Sequence, residues 1–86
     1  MKKNVLITGA AKRIGAACAR LLHGEGCNVL LHYRASETAV SALRDELNAI
    51  SSDSARIFAA DLLKMSELTA LANEARQAWG GIDVLI

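Results

Sequence analysis

Proline is missing from all 86 residues, and neither a repeat nor a low-complexity tract interrupts them. Nothing in the chain therefore marks a linker, and its length allows one domain at most. No apolar run approaches the roughly 18 residues of a membrane-spanning helix. The N-terminus offers just Val5-Leu6-Ile7 before Thr8-Gly9, too short for a secretory leader, so a cytoplasmic location is expected. The two cysteines, Cys18 and Cys27, form no CxxC and have no ligand cluster beside them. They read as reduced core thiols, Cys18 on a buried helical face and Cys27 at the start of a strand. Two histidines, His23 and His32, are too few for a metal site. No Ser/His/Asp set, paired carboxylates or activated cysteine appears, and Tyr33 has no lysine four residues on. A reaction centre is not among these residues.

Charge is nearly balanced overall, at +1, which argues against nucleic acid as a partner. It is not evenly placed. Residues 1–35 carry six basic side chains against Glu25 alone, whereas residues 36–86 carry four basic and eight acidic ones. The basic part also holds the glycine turn.

What is present is an alternation of apolar runs and helical periods. Asn4–Thr8 reads as a buried strand, apolar without alternation. From Arg13 to about His23, the spacing of Ile14, Ala17, Cys18, Leu21 and Leu22 predicts a helix buried on that face, closed by Gly24 and Gly26. Cys27–Tyr33 is a second strand. Ser36 is placed to cap a helix to about Asn48, with Val40, Leu43, Leu47 and Ile50 inward. After a polar loop, Arg56–Ala60 is a third strand ended by Asp61. Ser66 is placed to cap a third helix burying Leu68, Leu71, Ala72, Ala75 and Trp79, stopped by Gly80-Gly81. Asp83–Ile86 begins a fourth strand. The order β-α-β-α-β-α-β implies an α/β fold, a Rossmann-type doubly wound parallel sheet, with a flavodoxin-like sheet as the alternative. An apolar strand at the chain's end is expected to have a further neighbour, so residues 1–86 read as the N-terminal part of a single dinucleotide-binding domain, with the catalytic remainder beyond Ile86.

The chemistry gathers at Val5–Gly15. Gly9 permits a tight reversal and Gly15 permits close helix–strand packing. Small residues at Ala10 and Ala11 leave backbone amides open to a phosphate at a helix N-terminus. Such a turn serves either as a pyrophosphate site or as geometry alone. A Walker-type loop is excluded, since no Gly-Lys-Ser/Thr follows. At the end of the second strand, where an acid would bond a ribose 2′-hydroxyl, the chain reads His32-Tyr33-Arg34-Ala35-Ser36. Arg34 and Ser36, with Arg13 in the turn, suit a 2′-phosphate and favour NADP(H); the alternative is two solvated arginines that never meet. Asp61 either accepts from an adenine amino group, with Leu62 on the ring, or caps the next turn. Lys12 reaches a phosphate or stays in solvent, and Trp79 reads as core.

Thr8-Gly9-Ala10-Ala11-Lys12-Arg13-Ile14-Gly15 resembles the Thr-Gly-x-x-x-Gly-x-Gly cofactor turn of short-chain dehydrogenases/reductases. Asp61-Leu62 resembles the family's adenine-binding Asp, and Gly81–Ile86 the strand before its Asn-Asn-Ala-Gly motif, so the resemblance covers the whole chain. Arg13 departs from the family's middle glycine. With His32, Arg34 and Ser36 it is similar to the NADPH-dependent pteridine reductases, where the matching residues surround the adenosine phosphate. The resemblance implies a cofactor site of Gly9, Arg13, Ile14, Gly15, His32, Tyr33, Arg34, Ser36, Asp61 and Leu62. It also implies hydride transfer from NADPH to dihydrobiopterin or dihydrofolate, in a homotetramer. A 3-oxoacyl carrier-protein reductase or another carbonyl reductase would share most of these residues. A nucleotide-binding fragment without catalysis is the reading from a different class. The family's Asn-Asn-Ala and Tyr-x-x-x-Lys groups would lie beyond Ile86.

Overall fold

A computed structural model describes residues 2–86. The elements run β1 (Asn4–Ile7), α1 (Arg13–Gly24), β2 (Asn28–Tyr33), α2 (Glu37–Ile50), β3 (Ala55–Ala59), α3 (Met65–Gln77) and β4 (Val84–Leu85), with a 3₁₀ turn at Ala78–Gly80. All pairings are parallel and the sheet order is β3-β2-β1-β4. That order places β3 outside β2 and sends the chain back across β1 to β4, which is the doubly wound dinucleotide-binding order and not the flavodoxin one.

Period-two alternation divides the sheet residues between two cores. Val5, Ile7, Val29, Leu31, Tyr33 and Ala55 pack with Ala19 of α1 and with Val40, Leu43 and Leu47 of α2. Leu6 and Leu30 pack on the opposite face with Leu71 of α3, Ala60 and Ala78. Helices thus cover both faces, and every residue of β2 is buried. Each fully buried Leu, Ile or Val contributes about 1.5–3 kcal/mol relative to exposure.

The helices stand where the periodicity predicts, but each departs from its expected inward set. In α1 the buried residues are Ala19 and His23, whereas Ile14 is 79% exposed and Leu21 69%. Gly15 sets this rotation. A Cβ there would lie 2.5 Å from the Gly9 carbonyl oxygen and 2.9 Å from Ala10 Cα. The helix must therefore turn its small-residue side, Gly15, Ala16 and Ala19, toward the sheet. Cys18 is half-buried, not buried, and Cys27 packs at the core margin as a free thiol.

Ile50, expected inward, is 73% exposed. The end of α2 is fastened instead by Asn48, whose side chain donates to the Ala55 carbonyl and accepts the Ser54 and Ala55 amides at 2.9–3.0 Å. Ser36 and Ser66 make no capping bond; α3 begins at Met65, after Lys64. Of the inward set expected for α3, Leu71 is buried, while Leu68 and Ala72 border an open apolar groove beside β4. Trp79 is half-buried at the core margin. Its indole N–H donates to the Asp53 carbonyl at 2.9 Å, and the Arg56 guanidinium lies 4.5 Å over its ring.

Candidate functional site

The site forms where the C-terminal ends of β1 and β2 meet the start of α1. Beyond Ile7 the Thr8 amide and hydroxyl both donate to the Ile86 carbonyl at 2.9 Å, tying β1 to the end of the chain. Gly9 then takes φ +62°, the left-handed region that glycine adopts without steric cost. Its carbonyl accepts the Lys12 amide at 3.1 Å, closing the turn. The first helical bond of α1 runs from the Ala16 amide to the Lys12 carbonyl. The amides of Arg13, Ile14 and Gly15 therefore lie in the first turn, without intrahelical acceptors and at the positive end of the helix dipole.

A hollow of about 720 Å³ opens above this turn, within the range of small-molecule sites. Gly9, Ile14, Gly15, His32, Tyr33, Arg34, Ser36, Asp61 and Leu62 line it, so nine of the ten expected residues come together. Arg13 is exposed and outside the lining, and Lys12 takes the basic place on the turn. Thr8, Cys18 and Leu63 also line the hollow. Thr8 opens the motif that carried the family resemblance, but its bonds to Ile86 depend on β1 lying beside the end of the chain and were not legible in the sequence.

Four of these side chains have partners within the chain, and of these only the turn cap by Asp61 was among the expectations from sequence. Arg34 is not free of carboxylate: its Nη2 lies 3.6 Å from Asp61 Oδ2, on an exposed arginine. Asp61 Oδ1 accepts the Leu63 amide at 3.0 Å, so the acid caps the turn while bordering the hollow. The Tyr33 hydroxyl donates to Glu37 Oε1 at 3.1 Å. Burial first, and that bond second, raise the phenol above its ordinary pKa, so it stays protonated at neutral pH. His32 is buried, with Nδ1 facing the Gly9 amide and Nε2 facing the Ala60 carbonyl. No group of three or more His, Cys, Asp or Glu suited to a metal occurs among the described residues. No helix among them is long and apolar enough to cross a membrane.

A parallel sheet with helices on both faces, a glycine turn and a hollow at its strand ends is a Rossmann-like α/β arrangement. Residues 3–86 match the family model described as short chain dehydrogenase. The chain is 37% identical over 98 aligned positions to Pteridine reductase 1 of Leishmania tarentolae, covering 94% of this chain and 34% of that protein. It is also 37% identical over 84 positions to an uncharacterised oxidoreductase of Staphylococcus aureus (strain USA300), covering 98% of this chain and 35% of that one. The chain belongs to the short-chain dehydrogenase family, and it spans about a third of the length of these curated relatives.

Proposed function

We propose that residues 1–86 form the NADPH-binding part of a single-domain short-chain reductase whose remaining, catalytic part follows Ile86. The carrying observation is the end of β2, where Tyr33 and Arg34 stand in place of a ribose-binding acid and Arg34 borders the same hollow as Lys12 and Ser36. Two cations bordering one hollow, one of them 3.6 Å from Asp61 on an exposed side chain, suit a 2′-phosphate better than a 2′-hydroxyl. The adjacent turn fits the pyrophosphate, since Gly9 and Gly15 bring backbone close and the first-turn amides of α1 lack acceptors. When bound, the dinucleotide supplies the hydride; this chain's residues hold and orient it.

Direct titration of the full-length protein with NADPH and NADH tests this reading. Preference for NADPH is expected, and Arg34→Asp should shift it toward NADH by about tenfold or more, the scale of a charge-assisted bond exchanged for repulsion. Unchanged preference would remove Arg34 from the phosphate site.

The substrate reading is a pteridine, dihydrobiopterin or dihydrofolate, in a cytoplasmic homotetramer. It is supported by the relative named Pteridine reductase 1 and by Arg13 standing where the family pattern has glycine. Turnover of a dihydropterin with NADPH supports it; turnover of 3-oxoacyl or other carbonyl substrates alone favours the broader reductase reading. Intact mass separates both from a non-catalytic fragment, because a product of 9.1 kDa contains no Tyr-x-x-x-Lys pair.

A further inference from the structure

His32 matches a position that the family resemblance assigns to the adenosine phosphate, yet its ring is committed elsewhere. The residue is 5% exposed. The Gly9 amide donates to Nδ1 at 3.1 Å, so Nδ1 presents its lone pair and the ring proton sits on Nε2. Nε2–H then donates to the Ala60 carbonyl at 2.8 Å. The backbone of the same residue accepts the Ala10 amide at 2.9 Å. One residue of β2 thus holds two successive amides of the glycine turn and reaches across to the end of β3.

These bonds have a directional consequence. With the Gly9 and Ala10 amides drawn toward β2, a phosphate in the hollow must be met by later amides, those opening α1. A Cβ placed on the left-handed Gly9 would meet no neighbour within 4 Å, so side-chain packing does not hold its conformation. Hydrogen bonds do: the Lys12 amide on its carbonyl from within the turn, and the two His32 bonds at its amide and at the next one from β2. We propose that His32 is a positioning residue for the dinucleotide's pyrophosphate: it fixes the Gly9–Ala10 turn so that the α1 amides face the ligand, and it does not bind the 2′-phosphate. This rests on the dinucleotide reading above.

The test compares two ligands on the full-length protein, NADP⁺ and adenosine 2′-monophosphate, by calorimetric titration. The second ligand carries the 2′-phosphate and lacks the pyrophosphate. His32→Leu removes both ring contacts and is expected to weaken NADP⁺ by about tenfold, the scale of one buried donor left unpaired. Adenosine 2′-monophosphate should bind as to wild type. His32→Asn, whose Oδ1 can stand in for Nδ1, should recover most of the NADP⁺ affinity, and His32→Gln less. In the ligand-free protein, His32→Leu should speed hydrogen exchange at the Gly9 amide while the Leu30 amide stays protected. Equal losses for both ligands would make His32 part of the 2′-phosphate site and overturn the proposal. So would unchanged NADP⁺ binding, or Gln rescuing better than Asn. If the leucine variant does not fold, the order of the Asn and Gln variants decides. Wild-type protein that binds neither ligand would overturn the dinucleotide reading, and this proposal with it.

Discussion

Gly9 and Gly15 are both required by the turn, for different reasons. At Gly9 the backbone is left-handed and a Cβ would meet nothing within 4 Å, so substitution costs conformational energy, about 1–2 kcal/mol and more for a β-branched residue. At Gly15 the cost is a collision with the Gly9 carbonyl and Ala10, on the scale of about 1–3 kcal/mol for an overpacked site. Gly9→Asn, whose side chain tolerates the left-handed region, should therefore melt above Gly9→Val, and Gly9→Val should abolish NADPH binding. Gly15→Ala should lower the melting temperature despite alanine's higher helix propensity; a gain would mean that the close approach is wrong. His23 shows the other side of residue-scale reading. Nothing in its spacing marks it, but its Nε2 lies 2.7 Å from Ser54 Oγ in a buried site joining α1 to the start of β3. Burial foremost, and then the charge of Lys2, lower its pKa below 6.5. The unfolded chain therefore takes up the proton first as pH falls, so this stability is complete above pH 6.5 and declines below it. Denaturant melts between about pH 7.5 and 5 should show the decline, flattened in His23→Gln; an unchanged slope would assign the pH dependence to other groups.

Element positions were legible because they rest on local signals: β-branched and leucine-rich runs, helical periods and glycine stops. Each strand and helix lies within a residue or two of its expected span. The rotation of α1 was not legible. Hydrophobicity favours burying Ile14 and Leu21, but the contact of Gly15 with the Gly9–Ala10 backbone comes first and turns the helix so that Ala19 faces the sheet. A paired substitution on this chain reports that rotation. Ala19→Leu adds three carbons at a site with no exposed surface and should cost about 1–3 kcal/mol. Ala17→Leu makes the same change on the exposed side and should fall within about 0.5 kcal/mol of neutral. Equal losses in thermal unfolding would mean that the helix is rotated otherwise. The ring bonds of His32, unlike its place in the expected site, escaped sequence reading for a related reason. The ring's partners, Gly9 and Ala60, are 23 and 28 residues away, and only the parallel alignment of β1, β2 and β3 brings them within reach.

At the scale of the whole molecule, alternation of strands and helices was enough for the doubly wound class, and the sheet order β3-β2-β1-β4 decided between its two forms. The same order leaves β4 paired on one side alone, with β1. Beside it runs an apolar groove of about 280 Å³ lined by Leu6, Leu62, Leu68, Leu71, Ala72 and Leu85. Leu63 and Met65 are exposed nearby, at 90% and 75%. An unpaired strand edge next to apolar surface favours association between chains. The 86-residue chain by itself should therefore sediment with an average mass that rises with concentration. Leu85→Lys, which puts a charge on the open edge, should lower that rise. The relatives are about three times as long as this chain, and a full-length protein that covers the edge would show no such effect at Leu85. A chain of 86 residues that remains monomeric at about 100 μM, well above the usual range of protein association, would mean that the edge and groove are self-sufficient. That result would favour the nucleotide-binding fragment over the reductase segment, because the reductase reading needs further chain beside β4.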